Sequence, residues 1–327
     1  MTRRELAGNN LGAAYSRVGK SRRLSAHLAV LCTALMCIHG AMADGTIERS
    51  HYLSNSFNVL AYNIFMRPRT LFHNDQSDRA AVLPSKLRGF DAIVFSEAFD
   101  DGVRGDLLKA LRAEYPWQTK VLGSDRVFEQ DGGVVIVSRW PITHVAERRF
   151  RDVCTGSDCK ADKGVLYARI RKHGRTFHVF GSHTQAGDGG THRDKRAQQF
   201  RIIKRFIDDL RLAHWEPVFV AGDLNVDRYS GSEYRTMLET LDASFPRPLG
   251  HPYTVDSTTN DRSNGRSYLD YVLVSMRHAQ PIEALIETLR PRSPRPFGGD
   301  YDLSDHYPVF GHFMFPTPAS TIVATGG

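Results

Sequence analysis

Between positions 57 and 315, short apolar runs of strand length alternate with amphipathic helical stretches, and that rhythm leaves few folds open. "FNVLAYNI" (57–64), "DAIVFSEAF" (91–99), "DGGVVIVSRWPI" (131–142), "VLYARIR" (165–171) and "TFHVFGSHT" (176–184) read as strands. So do "PVFVAGDLNV" (217–226), "SYLDYVLVS" (267–275), "IEALIETL" (282–289) and the closing "YPVFGHFMF" (307–315). Helical spacing fills the gaps at about 77–87, at Val103, Leu107, Leu108 and Leu111, at 193–212 with Phe200, Ile203, Ile207 and Leu210 on one face, and at 232–241. No repeat and no interdomain linker interrupts the pattern. The expectation is one α/β domain over 44–315, followed by a flexible tail at 316–327.

Polar residues gather where the apolar runs end: Asn63, Glu97, His183, Asp223 with Asn225, Asp270, and Asp305 with His306. Strand ends at one rim of a sheet are where α/β folds build their sites. One such residue would be a turn or a cap. Six clusters, all of ligand, titratable or hydrogen-bonding types, exceed what folding requires. Glu97, Asp223 and Asp305 are hard oxygen donors and Asn63 and Asn225 add amide carbonyls, a set that suits Mg²⁺ better than zinc or copper. His183 and His306 are groups that titrate near neutrality. An acid, a base, amide donors and a hard cation fit in-line displacement at phosphorus. The chain has no G-x-S-x-G elbow, Walker loop or Rossmann fingerprint, so serine-hydrolase, nucleotide-hydrolase and dinucleotide readings lose their support.

Charge and cysteine usage point to export. The net charge of +7 is concentrated at the start: residues 1–43 hold six cations and one anion, leaving 37 basic and 35 acidic residues from Asp44 onward. A nucleic-acid partner is therefore not expected, since duplex binding calls for a strong basic footprint. The apolar run at 24–38 follows that basic segment and ends in "HGAMAD", the layout of a signal peptide over 1–43 with cleavage before Asp44 and a secreted or periplasmic product. Cys32 and Cys37 would leave with it. Cys154 and Cys159, in "DVCTGSDCKADKG", are then expected to form a small disulfide that staples an exposed loop and takes no part in the chemistry. "DSTTND" (256–261) reads as a solvated loop.

"LAYNI", "SEAF", "DGGVVIVSRWPI", "GSHTQAGD", "VAGDLNVD", "YLDYVLVS" and "LSDHYPV", in that order, resemble the endonuclease/exonuclease/phosphatase superfamily, and within it the secreted bacterial neutral sphingomyelinases. The resemblance spans about 57–315. It implies a DNase-I-like four-layered sandwich, two central mixed β-sheets flanked by helices, and makes 44–315 a metal-dependent phosphodiesterase domain. It also implies roles. Glu97 binds an essential Mg²⁺ (Mn²⁺ or Co²⁺ as substitutes), with Asn63 beside it, and Asp305 contributes to a second metal position. His306 is the general base and Asp270 orients its ring. Asp223 and Asn225 hold the nucleophile and phosphate oxygens, and His183 stabilises the phosphate or the departing alkoxide. Asp131 and Asp188 match acidic residues near the site. The implied reaction converts sphingomyelin and water to ceramide and phosphocholine, on a monomeric enzyme.

Two departures qualify this. The family's peripheral metal site uses a Glu–Asp pair where this chain has Gln130–Asp131, with Asp101 as a further ligand, so that site is one carboxylate short. The membrane-dipping aromatic hairpin corresponds here to "RPRSPRPFGGDYDL", whose one strongly apolar aromatic is Phe297. Burying one Phe yields about 1.5–3 kcal/mol, short of the roughly 4 kcal/mol of millimolar binding. Weak membrane engagement assisted by Arg290, Arg292 and Arg295 is expected instead. The alternatives are a secreted DNase-I-like nuclease, an inositol-phosphate phosphatase, and a lipid-surface binding module without turnover.

Overall fold

The computed structural model describes residues 55–124 and 130–316; the expected leader and nearly all of the expected tail lie outside them. The first half contains β1 (Ser56–Met66), α1 (Gln76–Lys86), β2 (Ala92–Ala98), α2 (Asp101–Leu111), β3 (Trp117–Gln118), β4 (Val135–Ser138), β5 (Ile142–Arg149), β6 (Gly164–Lys172) and β7 (Arg175–His183). The second contains α3 (Gly190–Asp209), β8 (Val218–Asp223), α4 (Ser232–Leu241), β9 (Ala243–Ser244), β10 (Pro248–Gly250), β11 (Val255–Asp256), β12 (Arg266–Ser267), β13 (Asp270–Ser275), β14 (Glu283–Thr288), β15 (Arg292–Phe297), β16 (Asp300–Asp302) and β17 (Val309–Met314).

Two mixed sheets dominate, ordered β10-β14-β17-β1-β2-β4-β3 and β5-β6-β7-β8-β13-β9. Their central strands are apolar on both faces because both faces are covered. On β1, Phe57, Val59 and Ala61 enter the core shared with the second sheet, while Leu60, Tyr62 and Ile64 face the helix side. β2 divides its residues likewise, Ala92 and Val94 one way, Ile93 and Phe95 the other. That is the period of two written in the sequence. Val103, Leu107 and Leu111 of α2 and Ala80 and Leu83 of α1 close the first sheet, and Phe200, Ile203, Phe206 and Ile207 of α3 with Met237 and Leu241 of α4 close the second. The expected four-layered α/β sandwich forms.

Three expectations change. The run at 131–142 is not one strand: β4 ends at Ser138 in the first sheet and β5 begins at Ile142 in the second. Pro141 stands between them, where a missing N–H breaks a ladder and the chain can cross. The closing strand pairs from Val309, after Pro308, so Asp305 and His306 lie in the bend ahead of it. The loop after β11 is solvated only in part: Ser257, Thr258, Thr259 and Asp261 are exposed, but its two ends turn inward. Asp256 and Asn260 are buried, and Asn260 Nδ2 donates to the Ser304 carbonyl at 2.9 Å. The Tyr307 hydroxyl donates to the Thr259 carbonyl at 2.9 Å, Arg262 donates to that of Asp302 at 2.9 Å, and Ser263 donates to that of Asp305. A string of small polar residues looks solvent-facing in sequence, yet here it supplies the hydrogen bonds that a neighbouring irregular segment needs.

Candidate active site

Strand register assembles the site. On β7, β8 and β13, His183 stands opposite Asp223, and Asp223 opposite Asp270, so three chemically able residues share one row of the second sheet. Gly222 makes that row possible: its φ is 132°, and a Cβ there would lie 2.0 Å from the Ser182 carbonyl oxygen. In the first sheet Asn63 pairs with Ser96, which puts Glu97 one residue further on. Glu97 and Asn225 have φ values of 54° and 50°. Non-glycine residues seldom take this left-handed region, and at functional sites such strain fixes a side chain's aim. The two sheets are joined by Asn63, whose Nδ2 donates to Glu97 Oε1 at 3.1 Å and to Asp223 Oδ2 at 3.0 Å.

The bend before β17 brings in the last two residues. Ser304 Oγ donates to the Asn63 carbonyl at 2.6 Å and lies 3.3 Å from Asp305 Oδ1. His306 Nδ1 is 2.8 Å from Asp270 Oδ2, and its Nε2 is 3.8 Å from Asp223 Oδ2. The neutral imidazole with its proton on Nδ1, held by Asp270, leaves Nε2 free to accept a proton. Asn225 donates its Nδ2 to the Thr184 carbonyl at 3.2 Å, and its backbone N–H to Asp223 Oδ1 at 3.0 Å. Below the site, the buried Arg79 guanidinium ties the Ile64 and Leu303 carbonyls together, each at 2.8 Å, so the ends of the two segments cannot drift apart.

Electrostatics separate the two imidazoles. Burial drives the His183 ring down to about 3, helped by the Lys163 ammonium 3.3 Å away, so His183 is neutral at working pH. Burial disfavours the His306 cation too, but Asp270, Asp223 and Asp305 outweigh it and raise this ring well above its ordinary value. Glu97 is pushed up to about 7 by burial and then by the charge of Asp305, itself raised mainly by burial. Two carboxyls held this way want a cation.

The residues present fit a hard divalent ion. The donors are carboxylates and amides, Asp270 Oδ1 is buried without a hydrogen-bond partner among the described residues, and Asp223, Asp270 and His306 each offer a ligand atom within 4.8 Å of the others. His306 Nδ1 is engaged with Asp270, and the Glu97 and Asp305 carboxyls, both raised by burial, are further hard donors of the same site.

A cleft of about 560 Å³ opens above these groups, lined by Glu97, His183, Asp223, Asn225 and His306, with Phe65, Phe72 and Phe99 along its walls. All eight expected site residues meet there or directly beneath it. Asp188 does not: it is exposed in the loop after β7 and lines no part of the cleft. Sequence reasoning missed Lys163, which is 6% exposed, with Nζ 2.7 Å from Asp158 Oδ2 and 3.1 Å from the Thr184 carbonyl. Lys163 and Asp158 flank or belong to the Cys154–Cys159 loop, and Ser157, Asp158 and Lys160 form one wall of the cleft. The disulfide forms as expected, but its loop belongs to the site and is no remote staple. The charge density of "SDCKADKG" was the available signal.

Two facing mixed sheets with acids, amides and imidazoles converging at one rim are the design of one hydrolase class. The chain belongs to the endonuclease/exonuclease/phosphatase family, whose pattern matches residues 56–306. Its relatives include sphingomyelinase C of Leptospira interrogans, 36% identical over 310 residues, covering 84% of this chain and 55% of that protein. Sphingomyelinase C of Bacillus cereus is 34% identical over 295 residues, covering 78% of this chain and 88% of the relative. The chain thus spans about half the length of the Leptospira proteins and most of the Bacillus one. Among solved structures, a double mutant of the Staphylococcus aureus beta toxin with bound magnesium ions superposes with a TM-score of 0.73 at 31% identity, covering 79% of this chain and 99% of that one.

Proposed function

We propose that this protein is an exported, Mg²⁺-dependent sphingomyelin phosphodiesterase that acts as a monomer and releases phosphocholine, leaving ceramide. The observation that carries this reading is one cleft lined by Glu97, His183, Asp223, Asn225 and His306, with Asn63 and Asp270 bonded to them from behind, in a chain whose relatives include sphingomyelinases C. Glu97 and Asp305 would hold the ion, and the Asn63 amide N–H would keep Glu97 and Asp223 in register. When bound, the cation neutralises charge on the phosphoryl oxygens and offsets the surplus of carboxylates around His306. His306 Nε2 takes a proton from water as that water attacks phosphorus, and Asp270 stabilises the imidazolium that results. Asn225 and Asp223 orient the attacking water and the phosphate. His183, neutral and backed by the Lys163 ammonium, hydrogen-bonds the phosphate or the leaving oxygen.

The test is phosphocholine release from sphingomyelin and from phosphatidylcholine, with Mg²⁺ and with chelator, beside a plasmid-nicking assay. Release from sphingomyelin that stops with chelator is the expected outcome; nicking without release would establish a nuclease. The near-neutral charge from Asp44 onward disfavours that second reading.

Lys163→Met should lower kcat by about 10²-fold with a smaller change in KM, because a charge near developing negative charge matters most in the transition state. Unchanged kcat would remove Lys163 from the site.

Membrane engagement is assigned to charge. Phe297 packs against the core on the helix side, and Arg262 holds its hairpin down through the Asp302 carbonyl at 2.9 Å and Asp75 at 3.1 Å. Arg290, Arg292 and Arg295 are exposed. Their joint replacement by alanine should weaken binding to anionic vesicles by roughly 1 kcal/mol per residue, measured by co-sedimentation at two salt concentrations. Binding that ignores both salt and the replacements would refute it. Among the described residues no helix is long and apolar enough to cross a membrane.

A further inference from the structure

At the rim of the cleft, where β2 runs out, the oxygens of Asp101 and Asp131 and the carbonyls of Ala98 and Phe99 point at a common centre. That centre holds the Arg104 guanidinium. Its Nη1 is 2.9 Å from Asp131 Oδ2, 2.5 Å from the Ala98 oxygen and 3.4 Å from that of Phe99, and its Nη2 pairs with Asp101. Asp131 is 1% exposed and the Arg104 side chain 11%, so that pair is largely withdrawn from water, while Asp101 stands on the solvent side of the guanidinium. Gln130, the departure from the family's acidic pair, donates its amide to the Phe99 carbonyl at 3.1 Å. The position that the resemblance gives to a peripheral cation is therefore occupied by a side chain. A divalent ion and this guanidinium cannot share the same oxygens, and a guanidinium neither deprotonates nor dissociates.

We propose that Arg104 is a built-in cation that replaces a peripheral metal ion, and that this chain takes one divalent ion, at the Glu97 end of the cleft. The inference rests on the reading of Glu97 as the ligand of that ion. Arg104 is a positioning residue. It grips the carbonyls of the two residues that follow Glu97, and the Ala98 N–H is held from the other side by the Gly133 carbonyl at 2.9 Å. Together these bonds hold the chain in the course that gives Glu97 its left-handed backbone and its aim into the cleft. The rim keeps its shape whatever the metal concentration outside, which a second exchangeable ion would not allow.

The experiment is calorimetric titration of Mg²⁺ into the metal-stripped full chain, with Arg104→Ala, Arg104→Lys, Asp131→Asn and Glu97→Gln beside it, read together with circular dichroism. The wild type should bind one ion, and Asp131→Asn should still bind one. Arg104→Ala should weaken that site by roughly tenfold and open a second, weaker one, which Asp131→Asn added to Arg104→Ala abolishes. Arg104→Lys should restore the single site. If Arg104→Ala loses its folded spectrum, Arg104→Gln carries the same expectations. Two ions on the wild type, one of them lost with Asp131→Asn, would overturn the proposal, as would an Arg104→Ala isotherm indistinguishable from wild type. A one-site isotherm untouched by Glu97→Gln would overturn the assignment of Glu97 instead, and with it the metal arrangement of the proposed function.

Discussion

His306→Ala should reduce phosphocholine release by about 10²–10⁴-fold, the worth of a positioned general base, while vesicle binding stays within twofold of wild type. The expectation follows from the two faces of the ring: Nδ1 is bound to Asp270 at 2.8 Å and Nε2 is turned toward Asp223 at 3.8 Å, at the cleft. Asp270→Asn is the companion variant. It keeps the shape but removes the charge that stabilises the imidazolium and can present Nδ1 with an amide N–H, so it should cost about as much as the alanine, and the double variant little more, because residues acting as a unit are not additive. Stopped assays with phosphocholine detection would measure all three. Near-wild-type turnover in His306→Ala would leave the site without its base. Full additivity in the double variant would show that Asp270 acts on something other than this ring.

Metal removal should have an effect of similar size, and a pH dependence that exposes its ligand. Chelation should lower activity by at least about 10³-fold, since the ion supplies several kcal/mol of charge stabilisation, and Glu97→Gln should reproduce most of that loss at any metal concentration. The sign of the pH effect comes from Glu97, whose carboxyl burial and the neighbouring Asp305 push up to about 7 in the metal-free protein. Above that value the carboxylate is ready for an ion. Below it a proton must leave first, so apparent Mg²⁺ affinity should fall by about tenfold per pH unit as pH drops through and beneath 7. Titration calorimetry at pH 6, 7 and 8 measures it. Affinity that is flat across this interval would show that another group holds the ion.

Much of this was legible in the chain alone. Alternating positions fixed which core each residue of β1 and β2 enters, and the six polar clusters at strand ends marked the site before any geometry existed, because a carboxylate or imidazole beside a buried strand needs a reason to be there. Other features were not legible, for a common cause. That Asn260 is buried depends on the bend at Ser304–His306 needing partners for its backbone groups. That Lys163 reaches His183 depends on how the disulfide loop folds over the end of β7. Arg104 lies on α2 in a stretch that reads simply as an amphipathic helix, and nothing in its neighbours announces that its guanidinium closes a ring of four oxygens.

By itself the sequence determined the layers, the strand faces and the identity of the reacting groups, since these follow from side-chain period and chemistry, which are local. Only the tertiary structure decided how the groups divide their work. Register set His183, Asp223 and Asp270 in one row, burial drove the His183 ring down while three carboxylates outweighed burial at His306, and an arginine filled the rim. Protonation and ligand geometry depend on fields and distances between residues far apart in the chain, and those exist only once the two sheets have met.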